Sequence, residues 1–244
     1  MICYVAAGVP FAGRAYSEPQ SNAINAPCFR STLVIGYSQV GQLSPQGGGW
    51  FVAGGEFEKA VGSDRWQLLW QGGAGVDRWR NPDYPGWNRP ITSPVPVDPS
   101  KPDRVLLSIS GPYGSDERAW AEAIEATVET IKVKYPTTRQ IWLQPVVGGP
   151  EGVESAPGGR RVRAARQHAH ILNAIREVVR RQGGGAVRVV EGAAPRVRSM
   201  ADYTDGLGHL THDAAAVIGR TLGEYYAQRD EACRQAGHVA CGRK

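Results

Sequence analysis

The chain has 244 residues, of which 41% are hydrophobic and 21% charged, with 31 glycines and 17 prolines. This composition excludes a disordered tail, a coiled coil and a collagen-like repeat, and the length suits one large domain or two small ones, able to bury about 70% of the unfolded surface without a metal or disulfide. The net charge of +5 rests on an arginine-rich basic set with only five lysines. Its densest cluster, Arg160, Arg161, Arg163 and Arg166, opens an amphipathic helix, so it reads as a solvated helix face and not as a nucleic-acid footprint.

Residues 1–30 are rich in Pro, Ser, Asn and Ala and are expected to form an N-terminal extension. Within it, Ile2 to Gly13 is too short and glycine-rich to span a membrane. It resembles the apolar core of an export signal, although no basic residue precedes it. A secreted or periplasmic protein is expected, with the cytoplasm as the alternative. Ser31 to Gly36 is a short β-branched run ending at glycine, a buried strand. A Gly-rich loop and an amphipathic stretch at 50–61 follow, then a second strand over Trp66–Trp70, stopped by Gly72, Gly73 and Gly75. Residues 77–103 hold seven prolines and three aromatics and are expected as a long surface excursion. Regular alternation then begins: a strand over 104–110, a helix over 116–134, a strand over 140–147, a helix over 160–181 ended by three glycines, and a strand over 186–190. The last helix is expected over 212–228, leaving 229–244 as a C-terminal tail. Strands separated by helices of this length imply an α/β fold, a five-stranded parallel sheet between two helical layers.

The four cysteines, Cys3, Cys28, Cys233 and Cys241, form no C-x-x-C pair, which disfavours zinc and thioredoxin-type chemistry. Cys233 with Cys241, and Cys3 with Cys28, are the candidate bridges, and a bridge would suit an oxidising compartment. His168, His170, His212 and His238 lack ligand spacing, and no carboxylate cluster suggests a metal site. No metal and no cofactor are expected.

Open parallel sheets bind ligands beyond the carboxyl ends of their strands. Four such ends carry chemistry: Gly36-Tyr37-Ser38-Gln39 after the first strand, Gly72-Gly73-Ala74-Gly75 after the second, Gly111-Pro112-Tyr113-Gly114 after the third, and Asp202 to Thr211, with Asp205 and His209, after the fifth. A serine, a glycine-rich turn, an aspartate and a histidine on one rim meet the needs of acyl transfer: nucleophile, oxyanion donors, orienting carboxylate and base. Asp202 is the fallback carboxylate, and Thr211 is the expected N-cap of the last helix. Trp79, Tyr84 and Trp87 lie in the proline-rich excursion. Like Tyr37, Trp79 and Trp87 are candidates for a substrate wall, or else they pin the loop to the body. Trp120 and Trp142 sit in regular elements as core.

Over residues 31–228 this arrangement resembles the SGNH, or GDSL-type, hydrolases. The resemblance implies a flavodoxin-like sheet, Ser38 as nucleophile in Gly36-Tyr37-Ser38, Gly75 as oxyanion glycine with the Ser38 N–H, and His209 as base, oriented by Asp205. The family's third block reads Gly-x-Asn-Asp. Here Tyr113 stands at the asparagine, which makes its hydroxyl the candidate third donor. The last block usually reads Asp-x-x-His, whereas Asp205 precedes His209 by four residues, a difference that Gly206 and Gly208 can absorb. The rival nucleophile elbow of cutinase-like α/β-hydrolases needs Gly-x-Ser-x-Gly, and position 40 is Val. The resemblance implies an esterase of short-chain or acetylated-carbohydrate substrates. A domain that keeps the fold only to bind a glycan or acyl ligand is the alternative.

Overall fold

A computed structural model describes residues 29–41, 55–62, 66–90, 101–146, 168–197, 199–205 and 208–241. Five strands, β1 (Thr32–Gly36), β2 (Trp66–Trp70), β3 (Arg104–Ile109), β4 (Gln140–Pro145) and β5 (Arg188–Glu191), pair in parallel in the order β2-β1-β3-β4-β5. The helices are α1 (Glu56–Val61), α2 (Val76–Trp79), α3 (Glu117–Lys134), α4 (His168–Gln182) and α5 (His212–Cys241), with 3₁₀ turns at Pro85–Asn88 and Met200–Asp202.

Every residue of β1 and β3 is buried, because helices cover both faces of the sheet. Successive side chains point to opposite faces. Leu33, Ile35, Val105, Leu107 and Ile109 meet Ile124, Val128 and Ile131 of α3 and Ile171, Ile175 and Val178 of α4 in one core. Val34, Leu68, Leu106 and Trp142 meet Phe57 of α1 and Ala215, Ile218, Leu222 and Tyr226 of α5 in the other. Helix α3 starts where its periodicity predicts, because the Asp116 carboxylate accepts from the Ala119 N–H at 2.9 Å. The chain passes from β1 outward to β2 and then back across to β3. The crevice where this direction reverses, at the carboxyl ends of β1 and β3, is the binding position of open α/β sheets.

Three expectations are corrected. The excursion after Gly75 is not a surface loop in its first half. Trp79 is fully buried and Trp87 is 7% exposed; their rings pack edge to face at 4.8 Å, with Tyr84 5.2 Å from Trp79. Each indole N–H finds a carbonyl, Ala74 O at 2.9 Å and Asn81 O at 2.8 Å. Two aromatics that satisfy their own polar atoms gain more by burial than by lining a solvent-facing wall.

The last helix does not stop near 228 but runs to Cys241. Its extension is held by Arg104, a guanidinium buried in β3. Arg104 donates to Asp230 through both terminal nitrogens at 2.8 and 3.0 Å, and to Thr32 Oγ1 at 2.8 Å. It lies 4.6 Å from the Phe29 ring and 4.8 Å from the Trp66 ring. A buried cation needs such a complete set of partners.

Cys233 is disulfide-bonded, but not to Cys241. Eight residues along one continuous helix separate the two by about 12 Å, beyond the roughly 7 Å limit for a disulfide. Cys3 and Cys28 lie outside the described residues, as do the arginines at 160–166.

Candidate active site

The turn that carries Ser38 follows β1 directly. Tyr37 O accepts from the Val40 N–H at 3.0 Å and the Gly41 N–H at 3.4 Å, which curls the chain back and leaves Ser38 at its tip, 8% exposed. Position 36 must be glycine, since a Cβ there would lie 2.3 Å from Val40 Cγ2.

The histidine turn precedes α5. Tyr203 and Leu210 form an isolated antiparallel bridge, the Thr204 N–H donates to His209 O at 2.8 Å, and the Thr211 N–H donates to Asp202 O at 2.8 Å. Thr211 Oγ1 accepts from the Ala214 N–H at 3.2 Å and caps α5 as expected. Gly208 adopts φ +85°, a conformation open to glycine at little cost. The turn so formed brings Asp205 back to His209 across the four-residue spacing. Asp205 Oδ2 lies 2.6 Å from His209 Nδ1, and Asp205 Oδ1 accepts from the His209 N–H at 3.2 Å. With Nδ1 held on a carboxylate, the ring proton is assigned there and Nε2 becomes an acceptor. Nε2 lies 2.9 Å from Ser38 Oγ. The chain thus joins Ser38, His209 and Asp205 in one line of hydrogen bonds, although 171 residues separate the serine from the histidine. Asp202 is not in that line. Its carboxylate accepts from the Ser199 N–H at 2.8 Å and ties the 3₁₀ turn.

The turn after β2 leads into α2. Gly75 stands at the helix N-cap, pressed against β3: the Val76 N–H donates to Ser110 O at 2.7 Å, and a Cβ on Gly75 would lie 2.3 Å from that same oxygen. The Gln71 N–H donates to Gly36 O at 3.3 Å, so this turn is also tied to the foot of the Ser38 turn. Among the described residues, neither the Ser38 N–H nor the Gly75 N–H has an acceptor. Two such donors on adjacent strand ends suit a developing oxyanion.

Two sequence-derived assignments fail here. Tyr37 is 4% exposed and turns its hydroxyl inward to Gln39 Oε1 at 2.5 Å. It is therefore no substrate wall, and nor are the buried Trp79 and Trp87. Tyr113 packs its ring on Trp120 at 5.2 Å, and its hydroxyl is buried with no partner among the described residues. Burial pushes the phenol above its ordinary pKa, with Arg80 opposing and Asp77 adding. A donor shielded in this way meets a substrate oxygen only if the side chain moves. Gln39, fully buried beside Ser38, was not singled out by sequence. The only available signal was its place next to Ser38. Among the described residues, no group of three or more His, Cys, Asp or Glu side chains is placed to hold a metal ion.

No protein-family model and no curated protein matches the chain. Solved structures do. A family 3 carbohydrate esterase from Clostridium thermocellum is similar with a TM-score of 0.51 and 12% identity, over 83% of this chain and 97% of that one. A family two carbohydrate esterase from the same organism, in complex with cellohexaose, aligns at a TM-score of 0.48 and 14% identity over 87% of this chain. This chain spans 66% of that protein's length. A Slackia heliotrinireducens protein assigned to the SGNH hydrolases aligns at 0.44 and 12%, over 83% of this chain and all of that one. The all-parallel five-stranded sheet between two helical layers is the fold this chain shares with the family 3 carbohydrate esterase.

Proposed function

We propose that this protein is a serine esterase that works through an acyl-enzyme. The observation that carries the reading is the hydrogen-bonded line from Ser38 Oγ to His209 Nε2 at 2.9 Å and from His209 Nδ1 to Asp205 at 2.6 Å. Ser38 Oγ attacks the ester carbonyl carbon as its proton passes to His209 Nε2. Asp205 holds the ring in register and stabilises the imidazolium. The carbonyl oxygen takes the negative charge and receives the Ser38 and Gly75 N–H groups. Collapse of the tetrahedral species breaks the bond to the alcohol oxygen, which leaves with the proton from Nε2. Water then gives a proton to Nε2 and attacks the acyl carbon. The second collapse returns the proton to Ser38 Oγ and releases the carboxylic acid.

Short acyl esters are the proposed substrates, with acetylated carbohydrates first among them. The rim carries no apolar lid helix among the described residues, and the aromatics of the 77–90 segment are taken up by the core. The family 3 carbohydrate esterase that shares the fold gives the direction for the sugar. Acetyl to butyryl p-nitrophenyl esters should turn over faster than esters of about twelve carbons, and the reverse order would refute the short-chain reading. Export is proposed with the activity, and the disulfide at Cys233 supports it.

The decisive experiment is labelling by a fluorophosphonate, which requires an activated serine. Wild-type protein is expected to label and Ser38→Ala not to, with ester hydrolysis falling about 10⁴-fold or more. Wild-type protein that neither labels nor hydrolyses any ester would favour a second reading, a ligand-binding domain without turnover. The specific observation behind that reading is Tyr113 in place of the block-three asparagine.

A further inference from the structure

Gln39 is a fully buried amide one residue past the proposed nucleophile, and both ends of it are engaged. Its Oε1 accepts from the Tyr37 hydroxyl at 2.5 Å, and its Nε2 donates to Gly208 O at 3.2 Å, across 169 residues of sequence. Gly208 is the residue before His209. It has φ +85°, and its N–H donates to Asp205 O at 3.3 Å. It therefore lies between the two ends of the carboxylate–imidazole pair, in the stretch that carries the extra residue. The histidine turn is also held locally, through the Tyr203–Leu210 bridge, Thr204 and Asp202. The Gln39 amide ties it to the serine turn through a buried bond, independently of the catalytic hydrogen bond itself.

We propose that Gln39, braced by Tyr37, is a positioning residue that sets the height of His209 against Ser38. The inference rests on the serine-esterase reading and deepens it. The physical reason is the short reach of the parts. A Ser–His hydrogen bond weakens steeply with a shift of about half an ångström, and glycine-containing turns resist such shifts poorly. A buried amide with two satisfied ends resists them well, because moving the turn would strand a carbonyl and an N–H away from water. The arrangement also gives Tyr37 a use: it stands where the family has aspartate and orients the amide so that Nε2 faces Gly208 and not Tyr37.

The test uses Gln39→Met, which keeps the length and volume of the side chain and removes both hydrogen bonds. Two readouts are taken. The first does not depend on turnover. Long-range ¹H–¹⁵N spectra of the His209 ring are expected to show the Nδ1-protonated tautomer in the wild type and a mixture of tautomers in the variant. An unchanged ring spectrum would overturn the proposal whether or not the protein is an esterase. The second readout is kinetic. The kcat on a short ester is expected to fall about 10–100-fold with KM changed less than about twofold, and Gln39→Met added to His209→Ala is expected to cost nothing further, as for groups that act as a unit. A kcat within about twofold of wild type, or an equal loss in both backgrounds, would reduce Gln39 to packing. Should Gln39→Met fold poorly, Tyr37→Phe is read in the same way. It leaves the bond to Gly208 and removes only its support, and a smaller kcat loss of about threefold is expected, with no loss counting against the proposal. Failure of wild-type labelling by the fluorophosphonate would sink the esterase reading alone.

Discussion

The histidine turn and the turn after β3 both depart from the SGNH pattern, and they depart in different ways. Between Asp205 and His209 the departure is one of spacing. The backbone takes up the extra residue through Gly208 at φ +85°, and the carboxylate still reaches Nδ1 at 2.6 Å. In Gly111-Pro112-Tyr113-Gly114 the departure is one of chemistry. An aromatic side chain occupies the place of a short amide, its ring joins the core beside Trp120, and its hydroxyl is left buried without a partner among the described residues. Extra chain length can be folded away. A donor of the wrong length cannot, because its ring has its own packing optimum.

Asp205→Asn damages the histidine turn most severely. Asparagine keeps the shape but turns an N–H or a neutral carbonyl toward Nδ1, so the histidine loses its tautomer. The kcat is expected to fall about 10⁴-fold. Asp202→Ala, in the same turn but bonded to the Ser199 N–H, is expected to leave kcat within about twofold and to lower stability by about 0.5–1.5 kcal/mol, the cost of a lost hydrogen bond. Equal losses in the two variants would mean that the carboxylates were assigned wrongly. Steady-state kinetics and thermal melts on both proteins separate the cases.

Gly208→Ala tests how the spacing is absorbed. Alanine at the φ of +85° found here is strained by about 1–2 kcal/mol, and the next residue is His209. We expect kcat to drop about tenfold and the melting temperature to fall by a few degrees, read by kinetics and calorimetry. An unaffected kcat would show that the turn tolerates a different path to the same imidazole position.

The smallest effect belongs to the other turn. Tyr113→Phe should leave kcat within about twofold, because the hydroxyl it removes is shielded, and it should leave stability unchanged or slightly raised, because a buried unpaired hydroxyl is a cost. A tenfold loss would instead identify the hydroxyl as a donor that swings into the site. Tyr113→Asn sharpens the point. It should raise kcat severalfold by restoring the missing donor, while stability falls by about 2–4 kcal/mol as the contact with Trp120 is lost.

The sheet and the ends of its strands were legible in the order of the residues. Buried strands in a parallel sheet are short continuous apolar runs, and Thr32–Gly36, Trp66–Trp70, Arg104–Ile109 and Gln140–Pro145 are such runs. Their carboxyl ends followed, and with them the rim that holds Ser38, Gly75 and His209. Local pattern carried this information because period and punctuation act within a few residues. Which side chains turn inward depended on contacts made across the fold. Trp79 and Trp87 stay open in the sequence between a substrate wall and pins for the loop, and the carbonyls that satisfy their indoles, Ala74 O and Asn81 O, are visible only once the loop is folded. The helix beyond residue 228 was hidden because its hold is Asp230 on Arg104, 126 residues away. The Gln39–Gly208 bond was hidden for the same reason. A buried polar contact is specified by two distant partners, and a sequence read in windows sees one of them at a time.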